Sequence, residues 1–256
     1  MPADITSPAN DRIKWLVRLR ERRHRDAEGV FVVEGERLYA RALAAGMKPE
    51  VTFVVPGSNI ETWGTAITVA EAALDRASYR KRSEGVIAVF PQIETRLSAW
   101  QTPDEGEAVF LVGEDIEKPG NLGAMLRTAA AADAAGVVAT GGDVDPHNPN
   151  VARASTGALF TVPLAVADWD ELEPWLRSSA TRIICATPAG TTTLWETDLT
   201  GRLAFVLGAE DEGVSGHALA IADTTVSIPQ AAGLVDSLNV SVAAGILLFE
   251  ARRQRT

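Results

Sequence analysis

The chain is 256 residues long, and its 46% hydrophobic and 23% charged residues are typical of a globular protein. A single cysteine, Cys185, excludes an internal disulfide bond, and no group of residues has the spacing of metal ligands, so we expect no bound metal. No apolar run reaches the ~18–20 residues that span a bilayer, and the N-terminus lacks the pattern of a secretory signal, so we expect a soluble cytoplasmic protein with no membrane partner.

The charge of the chain is unevenly distributed. The net charge of −10 by itself argues against a nucleic-acid partner. However, residues 9–25 carry seven Lys or Arg against Asp11 and Glu21, a local excess of +5, and residues 76–82 carry four more with no acid. Because salt screens distant charges, such clusters can bind phosphates even on an acidic protein. The alternative is that residues 9–25 form a solvated amphipathic helix.

Residues 1–95 are predicted to form a small α/β domain. The predicted elements are helices at about 10–25 and 37–46 and strands at 29–35, 50–55 and 84–90. A polar stretch that contains Pro and Gly follows them, and we predict a linker at 96–107.

From residue 108 the pattern is one of strands that alternate with helices. The run at 108–114 is continuously apolar, as in a strand that is buried on both faces, and an Ala-rich helix at 122–136 follows it and ends at Gly136. Further strands are predicted at 137–140, 160–166, 182–187, 203–208 and 224–229. This alternation predicts an α/β fold with a largely parallel sheet over residues 108–256.

Ligands of open parallel sheets bind beyond the carboxyl ends of the strands, which selects four loops here. The first loop, 113–123, contains Asn121, which we predict as the N-cap of the next helix. Arg127 is one long polar side chain in an apolar helix. The alternatives are that Asn121 only caps the helix and that Arg127 is an exposed or ion-paired helix position.

The second and third loops carry residues suited to a polar ligand. The second loop, 145–160, contains Gly157 and the polar residues Asn148, Asn150, Arg153, Ser155 and Thr156. Pro, Asn and Gly in this loop favour turns and a close approach to the backbone. A plain surface loop is the alternative interpretation. In the third loop, 207–215, Gly208 would let a flat ligand approach the backbone, and Glu210 could hold a ribose hydroxyl or orient a cation. No G-x-G-x-x-G string occurs, so a dinucleotide site has no motif support.

The fourth loop, 227–239, leads into a helix near the end of the chain. Ser237 and Asn239 stand where that helix begins, directly before a run of apolar residues. Both residue types favour helix caps and turns over helix interiors. Helix capping is therefore one interpretation, and a ligand held at the positive end of the helix is the other.

Three stretches, in this order, resemble the motifs of the SpoU (TrmH) family of RNA ribose 2′-O-methyltransferases. They are EDIEKPGNLGAMLRTA, FVLGAEDEGVS and IPQAAGLVDSLNVSVAAGILLFE, and NPNVARASTGALF is similar to the family segment between the first two. The resemblance covers residues 108–252. The N-terminal stretch NDRIKWLVRLRERRHRDAEGVFVVEGERL is similar to the small substrate-RNA-binding domain that precedes the catalytic domain in many members.

The resemblance implies a deep C-terminal trefoil knot, S-adenosylmethionine bound in the knotted loops, and a homodimer whose active site borrows residues across the interface. The catalytic residues that it implies are Asn121, Arg127, Glu210, Ser237 and Asn239. The donor-binding residues that it implies are Thr187, Gly208, Ile228, Gln230 and Leu238. Together with the basic clusters, it predicts RNA contacts at Arg12, Lys14, Arg18, Arg22, Arg23, Arg25 and Arg153.

The sequence departs from the family pattern at two points. Gln230 stands where Met is common, and the segment from Ile228 to Ser237 is one residue longer than the usual form. Both departures concern the donor contacts of that loop.

The predicted function is S-adenosylmethionine-dependent methylation of a ribose 2′-hydroxyl in RNA. Ribosomal RNA is favoured over transfer RNA, because a separate N-terminal domain accompanies ribosomal targets more often in this family. A guanidinium is almost always protonated in proteins. Arg127 would therefore act as the base in an unusually desolvated site, or it would stabilise the developing alkoxide and a neighbouring phosphate. The alternatives are an inactive RNA- or ribosome-binding protein on the same fold, a methyltransferase of another substrate, and a nicotinamide-dependent oxidoreductase without its glycine fingerprint.

Overall fold

The computed structural model describes residues 3–80, 82–100, 106–142, 144–231 and 237–256. The chain divides into two compact units. The first unit contains Met1–Ile93 and Asp145–Phe160, and the second contains Glu94–Val144 and Thr161–Thr256. Residues 145–160 thus lie with the N-terminal part of the chain. The domain boundaries that we read from the sequence stay a prediction.

The helices in chain order are α1 (Asp11–Arg18), α2 (Arg22–Glu28), α3 (Glu36–Ala44), α4 (Glu71–Ala77), α5 (Pro119–Ala132), α6 (Pro149–Ala154), α7 (Trp169–Ser178), α8 (Gly216–Ile221) and α9 (Val240–Gln254). The strands are β1 (Val30–Glu34), β2 (Val51–Val54), β3 (Thr65–Thr68), β4 (Val86–Pro91), β5 (Ala108–Glu114), β6 (Gly136–Thr140), β7 (Leu164–Val166), β8 (Arg182–Ala186), β9 (Thr192–Thr193), β10 (Arg202–Leu207) and β11 (Thr224–Ser227). In the described part of the chain, no helix combines the length and the apolar character needed to cross a bilayer.

The first unit is built on a four-stranded mixed sheet in the order β1-β4-β2-β3. Strand β4 pairs antiparallel with β1 and β2, while β3 runs parallel to β2. Ile13 and Leu16 of α1 are three residues apart, so they share one helix face, and they pack with Phe53 and Leu74 in the core. The predicted strands and the second predicted helix of this unit are confirmed.

The helix predicted over 10–25 is two helices, α1 and α2, so that prediction was wrong. The break follows from the side chain of Arg25, which is only 1% exposed. Its guanidinium donates hydrogen bonds to the carbonyls of Leu19 (2.7 Å) and Arg20 (2.8 Å), where α1 has ended. A continuous helix would use those carbonyls internally, so the buried arginine stabilises the turn between the two helices.

Residues 145–160 are held within the first unit by polar and aromatic contacts. Asp145 forms an ion pair with Arg25. The ring of His147 lies 5.5 Å from that of Phe31, and its Nε2 accepts a hydrogen bond from the backbone N–H of Ile93 (3.0 Å). These contacts fix the start of the segment that carries Arg153.

Burial of His147 is expected to make the first unit acid-sensitive. The pKa of His147 is lowered from about 6.5, mainly because burial disfavours the imidazolium. Below pH 6.5 the unfolded chain therefore binds more protons than the folded chain. The contribution of neutral His147 to stability is fully present above pH 6.5, and it is lost as the pH falls from 6.5 toward the lowered pKa of the folded state. We expect the melting temperature to fall more between pH 7.5 and 5.5 in the wild type than in His147→Gln. Equal falls would contradict this.

The second unit is built on a seven-stranded sheet in the order β7-β6-β5-β10-β8-β11-β9, in which every neighbouring pair is parallel. Phe110, Val112, Phe205 and Val206 of the inner strands β5 and β10 are fully buried. The predicted α/β class with a parallel sheet is confirmed. Since the strands are parallel, the carboxyl ends of β5, β10, β8 and β11 lie side by side at one edge.

The structure changes the predicted boundaries at two places in this unit. The strand predicted at 160–166 is only Leu164–Val166, because Ala158–Phe160 form a 3₁₀ helix. Two residues of the predicted linker pack in the core: Leu97 is 1% exposed, and the Trp100 ring stacks 6.2 Å from that of Phe110. The following residues of the linker, 101–105, lie outside the described residues.

Candidate active site

Three chain segments meet at the carboxyl edge of the second unit's sheet. They are the start of α5 after β5, the loop after β10, and the start of α9. Strands β5 and β10 pair with Gly113 opposite Leu207, so both loops leave the sheet side by side. Helices α5 and α9 pack against each other. The first, third and fourth predicted loops are thus brought together.

A cluster of four polar side chains connects the three segments. The Oε1 atom of Glu210 accepts hydrogen bonds from the side-chain amides of Asn121 (2.9 Å) and Asn239 (2.8 Å). Asn239 Nδ2 also lies 3.2 Å from Asn121 Oδ1, and Lys118 Nζ forms an ion pair with Glu210 Oε2. We call these four residues the polar cluster. It joins three predicted catalytic residues, from three separate motifs, in one hydrogen-bonded group.

The polar cluster holds Glu210 in its ionised form. The hydrogen bond from Lys118 lowers the pKa of Glu210, and those from Asn121 and Asn239 act in the same direction. Glu210 in turn raises the pKa of Lys118. A carboxyl group with a lowered pKa is a poor proton acceptor near neutral pH. The arrangement therefore suits Glu210 for orienting the two asparagines.

Asn239 combines the two roles that the sequence left open. Its Oδ1 accepts from the backbone N–H of Ser241 (3.0 Å) and from the Ser241 hydroxyl (2.6 Å), which makes it the N-cap of α9. Its Nδ2 faces the polar cluster. Ser237 is exposed and makes no hydrogen bond with any described residue, so the structure does not bring Ser237 into the cluster.

Asn121 is not the N-cap of α5, so that prediction was wrong. The helix begins at Pro119, with Lys118 as its N-cap residue, because a proline has a helical φ and needs no amide partner at the first helical position. The amide of Asn121 is thereby available to Glu210. The helix also ends earlier than predicted: Asp133 takes the left-handed conformation at its end (φ 61°), and Gly136 opens β6.

Arg127 lies on a different face of α5 from Asn121. Six residues at 3.6 per turn place the two side chains about 120° apart around the helix axis. Arg127 is exposed, and it makes no hydrogen bond or ion pair within the described ranges. Its guanidinium is therefore available to an anion or to another chain.

The predicted donor-binding residues lie after adjacent strands. Thr187 follows β8, Gly208 follows β10 and Ile228 follows β11, and Leu238 precedes α9. Thr187, Ile228 and Leu238 are half-buried. These positions therefore lie at the edge where open parallel sheets bind their ligands.

Two details of this region qualify the sequence interpretation. A Cβ at position 208 would overlap the backbone of Gly213, so the glycine is required by the turn of the loop itself. Gln230 is exposed. The remainder of the lengthened segment, 232–236, lies outside the described residues.

Sequence reasoning missed two residues of this region. Lys118 stands inside the first quoted motif, but its charge gave no sign of a partner 92 positions away. Glu114 is 3% exposed and accepts hydrogen bonds from the Trp169 indole (2.7 Å) and the Ser215 backbone N–H (2.8 Å). It anchors the end of the loop that carries Glu210. The sequence signal that could have identified Glu114 is a carboxylate at the end of an otherwise apolar strand.

The predicted RNA-binding residues are exposed with one exception. Those on the surface of the first unit are Arg12, Lys14, Arg18, Arg22, Arg23 and Arg153. Arg25 is buried and bonded to Leu19, Arg20 and Asp145, so we no longer propose that it contacts RNA. Its charge is used inside the fold.

Comparison with known proteins decides the family. Residues 108–249 match the SpoU rRNA Methylase family, and residues 10–88 match the MRM3-like substrate binding domain. The chain belongs to the SpoU rRNA methylase family. The predicted family and the predicted enzyme class are confirmed. The SpoU match contains the whole polar cluster and Arg127, while the substrate-binding match contains the basic residues of α1 and α2.

Several relatives of the chain are RNA 2′-O-methyltransferases or rRNA methyltransferases, in agreement with this membership. A 23S rRNA (guanosine-2′-O-)-methyltransferase of Ralstonia nicotianae is 38% identical over 68% of this chain and 71% of its own. The crystal structure of an RNA 2′-O ribose methyltransferase is 40% identical, with a TM-score of 0.86 over 98% of each chain. An AdoMet-bound rRNA methyltransferase from Sinorhizobium meliloti is 29% identical, with a TM-score of 0.89 over 98% of each chain.

Proposed function

We propose that this SpoU enzyme transfers a methyl group from S-adenosylmethionine to a ribose 2′-hydroxyl of ribosomal RNA. The observation that carries the proposal is the polar cluster, which gathers Asn121, Glu210 and Asn239 from three motifs at the carboxyl edge of a parallel sheet. Ribosomal RNA is favoured because the chain pairs a SpoU domain with a substrate-binding domain. The cytoplasmic location and the trefoil knot stay predictions.

S-adenosylmethionine is the methyl donor, and it supplies a reactive methyl group on a sulfonium. Thr187, Gly208, Ile228, Gln230 and Leu238 would hold it. In the reaction the ribose 2′-oxygen bonds to the methyl carbon, the carbon–sulfur bond breaks, and the hydroxyl proton leaves. The protein must therefore orient the ribose and deal with one proton, and orientation alone can supply much of the acceleration.

Arg127 is the residue that we assign to the 2′-oxygen. It would accept the proton if bound substrate desolvates it, or it would stabilise the alkoxide and an adjacent phosphate while remaining charged, with the proton passing to water. The second role leaves the guanidinium protonated, which is its ordinary state in proteins. The guanidinium is exposed and has no partner among the described residues, which suits the second role directly. Asn121 and Asn239, held by Glu210, would orient the ribose, and Ser237 would join them when substrate is bound.

We also propose that the enzyme is a homodimer that uses α9 as part of its interface. Val242 and Phe249 of α9 are 51% and 49% exposed, and with the half-buried Ile246 they form a stripe at the spacing of one helix face. A second copy of the chain would cover this stripe. Arg127 of one copy would then complete the site of the other, and the family resemblance implies an active site of this shared kind.

Phe249→Glu is expected to convert the dimer to a monomer, because it replaces the largest apolar side chain of the stripe with a charge. Light scattering after size-exclusion chromatography measures the mass. Leu219→Glu is the matched control, since Leu219 is an exposed leucine of α8 that lies outside the stripe. A wild-type protein that is monomeric at micromolar concentration would contradict the proposal.

The RNA class is tested with labelled S-adenosylmethionine and unmodified ribosomal or transfer RNA transcripts. We expect label on ribosomal RNA and little on transfer RNA. Label on transfer RNA alone would overturn the proposed substrate. The inactive RNA-binding protein would instead be supported by a third result. In that case the protein binds the donor and binds ribosomal RNA tightly, but it transfers no label to that RNA, its fragments or its assembly intermediates.

A further inference from the structure

A cavity of about 250 Å³ lies within the first unit, between α3, α6 and a group formed by Tyr79, Arg80 and Glu84. Leu38, Pro149 and Ala152 supply apolar surface to its wall. The arginines of the wall are Arg37, Arg41, Arg80 and Arg153. The match to the substrate-binding domain ends at residue 88, so the α6 side of this cavity lies outside it.

The cavity is positively charged in a chain with a net charge of −10. Its four arginines face two acids, Glu34 and Glu84. Glu34 accepts hydrogen bonds from the backbone N–H of Tyr79 (2.9 Å) and from the Ser78 hydroxyl. Glu84 is ion-paired with Arg80. Both acids are thus already engaged by the protein.

Two of the arginines are available to a ligand. Arg41 donates to the carbonyl of Thr156 and so belongs to the wall. Arg37 makes no hydrogen bond or ion pair with the residues that the structure describes, and Arg153 bonds only the Asn150 side chain (2.7 Å). Arg37 stands on α3 and Arg153 on α6, so they approach the cavity from two elements. A pair of guanidinium groups is the usual protein partner of a phosphate.

We propose that this cavity binds one nucleotide of the substrate RNA other than the methylated one, with Arg37 and Arg153 on its phosphate. This inference rests on the proposed function. A volume below the ~300 Å³ typical of small-ligand sites limits the occupant to one nucleotide. Tyr79 also lines the cavity, and the Arg20 guanidinium lies 5.8 Å from the centre of its ring.

Arg37→Glu and Arg153→Glu test the proposal, with Lys48→Glu as the matched control. Lys48 is an exposed cation of the same unit that does not line the cavity. Arg37 is in the first turn of α3, where an acidic side chain favours the helix, so its replacement keeps the fold. The dissociation constant for unmodified ribosomal RNA is measured by fluorescence anisotropy without donor, over a range of salt concentrations.

Each cavity variant is expected to weaken RNA binding at least about tenfold and to reduce the salt slope by at least about one, because it removes one phosphate contact and adds a negative charge. Donor binding and the control variant should match the wild type. Cavity variants no weaker than Lys48→Glu would overturn the proposal. The proposal would also be overturned if the protein bound free uridine monophosphate tightly and Arg37→Glu abolished that binding, while the affinity of the same variant for RNA was unchanged. Absence of methyl transfer by the wild type would count against the proposed function alone.

Discussion

An Arg127→Ala variant is expected to bind S-adenosylmethionine as the wild type does and to transfer the methyl group roughly a thousandfold more slowly. Arg127 is exposed and unpaired in the described part of the chain, so its loss removes no contact that stabilises the fold. Alanine is the best helix former, which keeps α5 intact. Single-turnover transfer to ribosomal RNA measures the rate, and calorimetry measures donor binding.

The control for this variant is Arg96→Ala. Arg96 is also an exposed arginine of the second unit, but it is ion-paired with Glu94 and lies outside the candidate site. A rate for Arg127→Ala within threefold of that control would remove Arg127 from the mechanism.

Arg127→Lys separates the two roles that we assign to this residue. A lysine ordinarily has a pKa near ~10.4, well below that of a guanidinium. If Arg127 accepts the proton, the lysine variant should keep activity, with the basic limb of its pH–rate profile shifted. If Arg127 binds the alkoxide and phosphate by its planar geometry, the variant should lose activity equally at all pH values.

Glu210→Ala is expected to reduce kcat about a hundredfold, the order of loss that follows from misplacing reacting groups by about 1 Å. The variant removes the acceptor shared by Asn121 and Asn239 and the partner of Lys118. Helix α9 should persist, because Asn239 caps it through its other side-chain atom, Oδ1. Glu210→Gln keeps one acceptor oxygen, so an intermediate loss is expected.

Asp211→Ala is the matched control for Glu210. Asp211 is the next residue in the same loop, carries the same charge and is exposed outside the polar cluster. A loss in Glu210→Ala no greater than in Asp211→Ala would show that the polar cluster does not organise the site. Steady-state kinetics with ribosomal RNA compare the three variants with the wild type.

The elements predicted most reliably are those whose own residues determine their secondary structure. The central residues of β5 and β10 are apolar because both faces of the sheet are covered, and the carboxyl edge of such a sheet is a general ligand site. That reasoning, with the family resemblance, located Asn121, Glu210 and Asn239 before their contacts were known. The small strand β3 and helix α4 of the first unit were not predicted.

The errors share a tertiary cause. The break between α1 and α2 depends on the buried ion pair of Arg25 with Asp145, which are 120 positions apart, and no local pattern reveals that contact. In the same way, Asn121 has the composition of a cap, but the helix starts at Pro119 and its amide is used by Glu210. Lys118 was missed for the same reason.

The most direct test of the central claim is the chemical position of the transferred methyl group. Ribosomal RNA labelled by the wild-type enzyme is hydrolysed with alkali, which cleaves RNA through the free 2′-hydroxyl. A 2′-O-methyl group blocks that cleavage, so we predict that the label appears in an alkali-resistant dinucleotide and is absent with Arg127→Ala. Label in a mononucleotide would place the methyl group on a base and would contradict the account.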